Sequence, residues 1–319
     1  MEEKLVELLR ELTHVFGCSG REEMVCRAIQ KHLPLETGKM VVRRDGLGNL
    51  LVQTGTRGGP RLMLDAHMDS IGIMLTDISK PDRMKFRAIG FLRPETMLGI
   101  SVVFEDGRQA AIASDSSSPK SVGELFARPK KANTEFRVGD TAVFKPNFFA
   151  SDGFASGTFL DNRVNCAVLL TAVEDMLDSP NEVWCCFSTQ EEVGMRGAAV
   201  AARQIQPDMA FAMDMGIAKP GRGIIEKMMD DSIVCAPAAL QMLEAAVQIA
   251  GASCVRAVGG AGYTNAGEIH IASRGCPTAI LGIPGENLHS PMERACIADM
   301  LASRSVLIQI ANTKLEGYG

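Results

Sequence analysis

The start of the chain carries hydrophobic side chains at the spacing of a helix that buries one face. These side chains are Leu5, Leu8, Leu9, Leu12 and Val15. Gly17 is expected to end this helix. Ser19 and Glu22 then form an S-x-x-E pattern, which is typical of a capping box. We therefore predict that a second helix begins there and runs to about His32.

Short strands are predicted after the two helices. Residues 40–44 and 49–53 flank the turn DGLGN and predict a pair of strands. Residues 61–66 form a short, continuous apolar run, which is typical of a strand buried on both faces.

The pattern changes between about residues 72 and 151. Short alternating runs are separated there by glycine, proline, aspartate and serine, and helical periodicity is nearly absent. This pattern predicts a small all-β module, and we expect a barrel that interrupts a larger domain. The clearest runs are residues 85–89, 100–104, 110–113 and 141–144.

Strand and helix patterns alternate from residue 157 onward, which indicates a largely parallel sheet covered on both faces. The predicted fold class is α/β, a largely parallel mixed sheet flanked by helices, with an inserted all-β barrel. Residues 1–71 and 152–319 would form one discontinuous α/β domain, and residues 72–151 the barrel. The predicted helices cover residues 164–177, 197–203, 238–249, a short stretch from about 266, and 295–312; the predicted strands cover 182–188, 209–213, 254–257 and 278–282.

Composition narrows the range of functions. The chain has 319 residues, 46% of them hydrophobic, and a net charge of −5 without a basic block. We therefore expect neither nucleic-acid nor membrane partners. The nine cysteines form no C-x-x-C motif, which favours reduced thiols in the cytoplasm over a disulfide framework. The charged start lacks the apolar core of a signal peptide, and no apolar run is long enough for a membrane-spanning helix.

Two short motifs near predicted strand ends carry candidate chemistry. In His67-x-Asp69, residues i and i+2 of an extended segment point the same way, so Asp69 can orient an imidazole that binds metal. In Glu191-Glu192, adjacent carboxylates point apart, so one can bind metal while the other acts as a general base. Each motif alone also fits a simpler role, as a strand-end hydrogen bond or a solvated acidic pair.

Three further residues are candidate metal ligands. Asp161, in the segment LDNR, could bridge two cations, although in isolation a helix N-cap is the commoner role. Asp214 directly follows the run 209–213, and His289 lies in a loop after the run 278–283. Because ligands of open α/β sheets bind at the carboxyl ends of strands, we expect these residues to converge there.

Together, two histidines, three carboxylates and a free glutamate suit a pair of divalent cations. Mixed nitrogen and oxygen ligands suit zinc or cobalt and tolerate manganese. Serine-hydrolase and phosphate-loop chemistry lack the motifs G-x-S-x-G and G-x-x-x-x-G-K-S/T, and glycosidase chemistry leaves both histidines unexplained. The remaining histidines, His14, His32 and His270, are expected to be structural.

The order and spacing of these motifs resemble the tetrahedral aminopeptidases with two metal ions. That family includes glutamyl and deblocking aminopeptidases, and some members carry endoglucanase or cellulase names. The resemblance covers essentially the whole chain. The matching segments are DAHMDSIG (65–72), LDNRVNCAVLL (160–170), STQEEVGMRGA (188–198), AMDMG (212–216) and LHSPMER (288–294).

The resemblance implies a metal-ligand set. His67 and Asp214 would hold one divalent ion. Glu192 and His289 would hold the other, and Asp161 would bridge the two. The ions would be Zn²⁺ or Co²⁺, with Mn²⁺ also accepted.

The resemblance also implies the reaction, which is hydrolysis of short peptides with release of their N-terminal residues. Glu191 would act as general base and then as general acid, and Asp69 would orient His67 and assist catalysis. The peptide bond Asp161–Asn162 would be cis. The barrel would mediate dimerisation, and six dimers would assemble into a hollow homo-oligomer, a dodecamer that admits only short peptides.

One segment departs from the family pattern. Residues 262–266 read GYTNA where the family usually has GGTDA, so Asn265 stands in place of an acid. A structural role, such as capping the helix from about Ala266, would survive this change, whereas a charge-based role would not. Two alternatives stay open: a metal-binding family member with little peptidase activity that serves as a scaffold or accessory protein, and a related amide hydrolase such as a deacylase.

Overall fold

The computed structural model describes residues 1–259 and 262–315. Its helices are α1 (Glu2–His14), α2 (Glu23–Lys31), α3 (Leu160–Ala172), α4 (Arg196–Ile205), α5 (Pro237–Ala250), α6 (Ala266–His270) and α7 (Ile297–Asn312). Its strands are β1 (Val41–Arg44), β2 (Leu50–Gly55), β3 (Arg61–His67), β4 (Gly72–Asp77), β5 (Lys85–Ile89), β6 (Ser101–Phe104), β7 (Gln109–Ser114), β8 (Leu125–Pro129), β9 (Thr141–Phe144), β10 (Phe148–Ser151), β11 (Phe154–Gly157), β12 (Glu182–Ser188), β13 (Met209–Ile217), β14 (Ile224–Met229), β15 (Cys254–Val258), β16 (Thr278–Glu286) and β17 (Glu293–Cys296).

The larger sheet is mixed, with parallel strands at its centre. Strands β12, β3, β13 and β16 lie side by side and run parallel. Antiparallel strands flank them, with β2 and β1 on one side and β17, β11 and β10 on the other. Strand β14 pairs with β16 and carries β15. The predicted α/β class with a mixed sheet is confirmed, and the sequence patterns missed β10, β11, β14 and β17.

The central strands are buried on both faces. Every residue of β12 is buried, and in β3 and β16 only Arg61 and Glu286 are not. Because successive side chains point to opposite faces, continuous burial requires helices on both sides of the sheet. Helices α1, α3, α5 and α7 pack together in one group, and α4 packs with α6 in a second.

A second, smaller sheet contains only antiparallel strands. Its order is β5-β4-β9-β6-β7-β8, and a bridge between Met84 and Ala127 links its two ends, so the sheet is nearly closed. It encloses its own hydrophobic cluster, which includes Ile73, Phe104 and Val143. A small barrel-like sheet between the elements of the α/β fold is therefore confirmed. Strand β10 pairs with β11 and belongs to the larger sheet.

The predicted capping box at the start of the second helix is wrong. Helix α2 begins at Glu23, and Glu22 occupies its N-cap without a side-chain capping bond. The Ser19 hydroxyl instead donates to the carboxylate of Asp69. The Glu22 carboxylate accepts a hydrogen bond from the main chain of Gln190. A distant segment satisfies the Ser19 hydroxyl, and the Glu22 carboxylate accepts from Gly20 N–H as well as from distant Gln190.

None of the helices within the described ranges is long and apolar enough to cross a membrane. All nine cysteines lie in those ranges and carry free thiols.

Gly197 marks a close approach between the start of α4 and the turn after β12. A Cβ atom there would collide with Asn49 Oδ1 and with the main chain of Thr189. Asn49 already bonds both neighbours, because its Oδ1 accepts from Thr189 N–H and its Nδ2 donates to the Gly197 carbonyl oxygen. We therefore expect Gly197→Ala to lower the free energy of unfolding by about 2 kcal/mol in urea denaturation.

Gly46→Ala is the matched control for this substitution. A Cβ at Gly46 would meet no atom within 4 Å, and the backbone there is not left-handed. Its free energy of unfolding should stay close to that of the native protein. Equal losses in the two variants would show that the close approach at Gly197 does not limit stability.

Candidate metal centre

The predicted site residues come together at the carboxyl ends of the central strands. Strand β3 ends at His67, and Glu191 and Glu192 lie in the turn that follows β12. His289 lies in the loop after β16, and Asp161 lies at the start of α3. Residues separated by more than two hundred positions are thus neighbours at one edge of the sheet, as the rule for open α/β sheets leads one to expect.

Two local details complete the placement. Strand β13 was predicted to end at Met213, before Asp214, but it continues through Asp214 to Ile217. The start of α3 departs from helical geometry at Asp161 and Asn162, and the peptide bond between them is cis, as predicted.

His67, Asp161 and Asp214 form the first group of candidate ligands. The Nε2 atom of His67 lies 3.5 Å from Asp161 Oδ1 and 3.8 Å from Asp214 Oδ1. All three residues are buried. One atom from each lies within 4.8 Å of the others, which is the spacing of atoms that can share one ion.

Asp161, Glu192 and His289 form the second group. The Nε2 atom of His289 lies 3.6 Å from Asp161 Oδ2 and 3.7 Å from Glu192 Oε2. Asp161 therefore belongs to both groups and turns a different oxygen toward each. Glu191 belongs to neither group, although its Oε2 lies 3.9 Å from His67 Nε2.

The second ring nitrogen of each histidine faces an oxygen atom. His289 Nδ1 lies 3.0 Å from the carbonyl oxygen of Phe91, and His67 Nδ1 lies 3.3 Å from that of Asp69. A carbonyl oxygen only accepts, so each Nδ1 carries a proton, and Nε2 is the ring nitrogen that each histidine turns toward its candidate ligand group. The Asp69 carboxylate, which we expected to orient His67, lies slightly farther away at 3.5 Å.

The Asp69 carboxylate holds the turn after β12. It accepts hydrogen bonds from the N–H groups of Glu191 and Glu192, at 3.0 and 3.2 Å, and from the Ser19 hydroxyl at 2.6 Å. Asp69 is completely buried. Its carboxylate therefore fixes the main chain that carries both glutamates.

Glu293 is a site residue that the sequence argument missed. Its two carboxylate oxygens accept from the N–H groups of His289 and Asp161, at 2.8 and 3.0 Å. It thus fixes the main chain of both His289 and Asp161, whose side chains face each other in the second group. Its place in the segment LHSPMER was the only signal in the sequence. The carbonyl of Phe91, which lies between β5 and β6, gave no signal at all.

Burial and mutual repulsion raise the pKa values of several carboxylates in the cluster. Burial raises the pKa of Glu191 well above its ordinary value, and nearby Asp214 and Glu192 act in the same direction. Burial also raises the pKa of Glu192 to about 8 and that of Glu293 to about 8, with Asp161 adding to both shifts. These three carboxylates therefore bind protons more readily than exposed glutamates do.

The pKa values of the two imidazoles are also raised, but here neighbouring carboxylates raise them and burial opposes the change. Burial acts to lower the pKa of His289, but Asp161 and Glu192 outweigh it and raise the value to about 10. Burial likewise opposes the charged form of Asp161, but the facing imidazoles of His289 and His67 lower its pKa below the ordinary value. The carboxylates of the cluster therefore stabilise positive charge on the imidazoles that face them.

The residues present fit two divalent cations. Each group offers one imidazole nitrogen and carboxylate oxygens, which suit zinc, cobalt and manganese. Asp161 Oδ1 is buried and has no hydrogen-bond partner among the described residues. An ionised oxygen buried in that way costs free energy, which a cation beside it would offset.

Asn265 lies beneath the cluster and not in it. It occupies the N-cap of α6, but its side chain makes no capping bond, so the capping role suggested for it is wrong. Its Nδ2 atom donates to Asp65 Oδ2 at 2.6 Å and to Ser188 Oγ at 2.9 Å. The amide thus supports the ends of β3 and β12 from below, and both candidate ligand groups are complete without it.

The other three histidines make local contacts. His14 and His270 place Nδ1 near carbonyl oxygens, and His32 pairs with Glu11 on a neighbouring helix. None of the three belongs to either candidate ligand group.

Comparisons with known proteins point to one family. Residues 48–306, which include all seven predicted site residues, match the family model described as M42 glutamyl aminopeptidase. A candidate aminopeptidase of Acetivibrio thermocellus is 30% identical over 97% of this chain and 98% of its own length. A TET aminopeptidase from a marine-sediment Thaumarchaeota archaeon is 25% identical, with a TM-score of 0.91 over 97% of each chain. The TET1 peptidase of Pyrococcus horikoshii, which can assemble into a tetrahedron or a large octahedral shell, is 27% identical, with a TM-score of 0.84 over 96% of this chain and 99% of its own.

Asn265→Asp is expected to make stability depend on pH. The new carboxyl would face Asp65, whose pKa burial already raises to about 7, so the two groups would have to share a proton. The folded-state pKa of the new group would then lie above its unfolded value of about 3.9. The variant should therefore match the native protein best below about pH 4 and lose up to about 1.4 kcal/mol of stability per pH unit above it. Urea unfolding between about pH 5 and about pH 8 measures this gap.

Asn265→Ala is the matched control for the pH series. It removes the same two donated hydrogen bonds but adds no titratable group, so its loss of stability should be nearly constant between about pH 5 and about pH 6. The loss should grow only as the pH rises through the pKa of Asp65, about 7, because the Asn265 amide lowers that pKa. A constant gap for Asn265→Asp would rule out the shared proton.

Proposed function

The chain belongs to the M42 glutamyl aminopeptidase family, and we propose that it is a metal-dependent aminopeptidase that releases N-terminal residues from short peptides. The observation that carries the proposal is the position of Asp161, which turns one oxygen to each of two candidate ligand groups. A single carboxylate in this position is what a two-ion hydrolase needs to hold its ions close together.

The proposed cofactors are two divalent ions in each subunit. His67 and Asp214 would hold one of them. Glu192 and His289 would hold the other, with Asp161 between the two. When bound, the ions would supply the positive charge that lowers the pKa of the attacking water to about 7 and polarises the scissile carbonyl.

Glu191 would move the proton during hydrolysis. It is free of both ligand groups, and its Oε2 lies at their edge, 3.9 Å from His67 Nε2. Burial, which raises its pKa, favours uptake of the proton from water. The same carboxylic acid would then donate that proton to the leaving amine nitrogen. Asp69 would keep Glu191 in place, because its carboxylate accepts the hydrogen bond from the N–H group of Glu191.

The charge of the site favours a substrate with a free amino terminus. The α-amino group of a peptide is a cation, and the site concentrates carboxylates that would attract it. A substrate carboxylate would meet the same charges and be repelled. This difference favours aminopeptidase over carboxypeptidase chemistry, and the proposed location of the enzyme is the cytoplasm.

The role of Glu191 can be tested with Glu191→Gln. Purified protein reloaded with Co²⁺ or Zn²⁺ should hydrolyse aminoacyl-p-nitroanilides and dipeptides. In the variant we expect kcat to fall by at least about a hundredfold, because the amide cannot accept the proton of the attacking water. Elemental analysis should show that the metal content is unchanged, because Glu191 is not a proposed ligand. Full activity in the variant would refute the base assignment.

A control variant and a second class of substrate complete this test. Glu36→Gln makes the same change at an exposed position and should keep the native rate. N-acetylated dipeptides test for a deacylase, because such an enzyme would cleave them in preference to free dipeptides. Absence of turnover on every substrate, with both ions bound, would instead favour a scaffold or accessory protein.

The proposed assembly is a dodecamer built from dimers through the smaller sheet. The support is the likeness to tetrahedral peptidases, one of which forms closed shells. Light scattering should therefore give a mass of about twelve times the 34.2 kDa of one chain. A mass of one or two chains would remove the closed shell, and with it the size limit on substrates.

A further inference from the structure

The turn after β12 is held by two buried carboxylates from elsewhere in the chain. Three successive N–H groups, those of Gln190, Glu191 and Glu192, point at them. The last two donate to Asp69. The first donates to the Oε1 atom of Glu22 at 3.1 Å. The proposed general base is thus anchored on both sides of its own peptide unit.

Glu22 reaches the turn from the segment that precedes α2. Its Oε1 also accepts from Gly20 N–H at 2.6 Å, so one oxygen joins its own loop to the turn. The residue is only 6% exposed although it carries a carboxylate. A carboxylate buried to that extent requires hydrogen-bond partners, and these two N–H groups provide them.

The bond from Gln190 secures an unusual backbone conformation. Gln190 has a φ of 56°, in the left-handed region that residues other than glycine rarely adopt. Such a conformation persists where the surroundings hold it in place. Since Glu191 follows directly, the conformation at Gln190 sets the direction in which the Glu191 side chain leaves the main chain.

We propose that Glu22 is a positioning residue for hydrolysis, acting through Gln190 to aim the carboxylate of Glu191 at the attacking water. The inference rests on the proposed function, because it takes Glu191 as the general base. It gives a catalytic purpose to a buried carboxylate that touches neither candidate ligand group.

Glu22→Ala tests the inference in the full-length, metal-loaded protein. Loss of the acceptor frees Gln190, and a displacement of Glu191 by about 1 Å can lower kcat by about a hundredfold. We expect kcat to fall by about tenfold to a hundredfold while KM changes by less than about threefold. Metal content should stay at the native level. Hydrogen exchange should become faster in the peptide that covers residues 188–197.

Glu22→Gln should restore most of kcat, because its amide oxygen can accept the same two hydrogen bonds. A role that required the negative charge would leave this variant as slow as Glu22→Ala, and that result would overturn the proposal. If Glu22→Ala does not fold, Glu22→Asp tests the same contact, because its shorter side chain withdraws the acceptor from Gln190. It should give an intermediate kcat.

Glu182→Ala is the matched control. Glu182 is a buried carboxylate at the opposite end of β12, where it accepts from Gly58 N–H at 2.7 Å and from Trp184 Nε1 at 2.9 Å. Its loss should lower the unfolding midpoint as the loss of Glu22 does, but leave kcat unchanged. A drop in kcat that merely follows stability in both variants would reduce Glu22 to a structural residue.

The outcomes separate this inference from the proposed function. If Glu191→Gln keeps its activity, the proposed base is wrong. A second outcome is that Glu191→Gln is inactive, while Glu22→Ala, folded and loaded with metal, keeps the native kcat. In that case only the positioning role of Glu22 fails. Loss of metal from Glu22→Ala would also overturn it, because the role assigned here concerns Glu191 and not the ligands.

Discussion

Negative charge concentrated at the ends of the parallel strands governs the rest of the structure. Five carboxylates converge there on two imidazoles, in surroundings where charges are weakly screened and repel strongly. Such a cluster is compatible with folding if positive groups face it or if some of its carboxylates bind protons. Cations between the two candidate ligand groups would supply that charge on the solvent side. The carboxylates concerned are Asp69, Asp161, Glu191, Glu192 and Asp214.

On the protein side of the cluster, main-chain N–H groups provide the partners. Glu293 accepts from His289 and Asp161, and Asp69 accepts from the turn that carries the two glutamates. Each bond satisfies a buried carboxylate and at the same time fixes a loop. Loops at the ends of strands are ordinarily the mobile parts of an α/β fold. Here the bonds that stabilise the buried carboxylates also hold in place the loops that carry both candidate ligand groups.

The sequence predicted the parts of this arrangement that follow from periodicity and from motif order. The apolar runs at residues 61–66 and 182–188 are neighbouring parallel strands in the structure. The five segments that match the family carry the residues of both candidate ligand groups. Contacts that depend on the tertiary fold left no such pattern. Nothing local indicated that the Phe91 carbonyl orients His289, or that Glu293 serves two loops at once. The S-x-x-E pattern was misleading for the same reason, because Ser19 contacts Asp69 and Glu22 contacts Gln190, both far away in the chain.

Asn265 shows how far the charge constraint extends below the site. Its amide donates to Asp65, a carboxylate buried two residues before His67, and to Ser188 at the end of the next strand. An acid in this place would need a proton to make the same contact, since two ionised carboxylates cannot lie 2.6 Å apart. The amide makes it at every pH. The change from acid to amide therefore leaves both ligand groups intact and adds no charge to a region that already carries an excess. The departure from the family pattern is better understood as a change in the support of the strands than as a loss of the site.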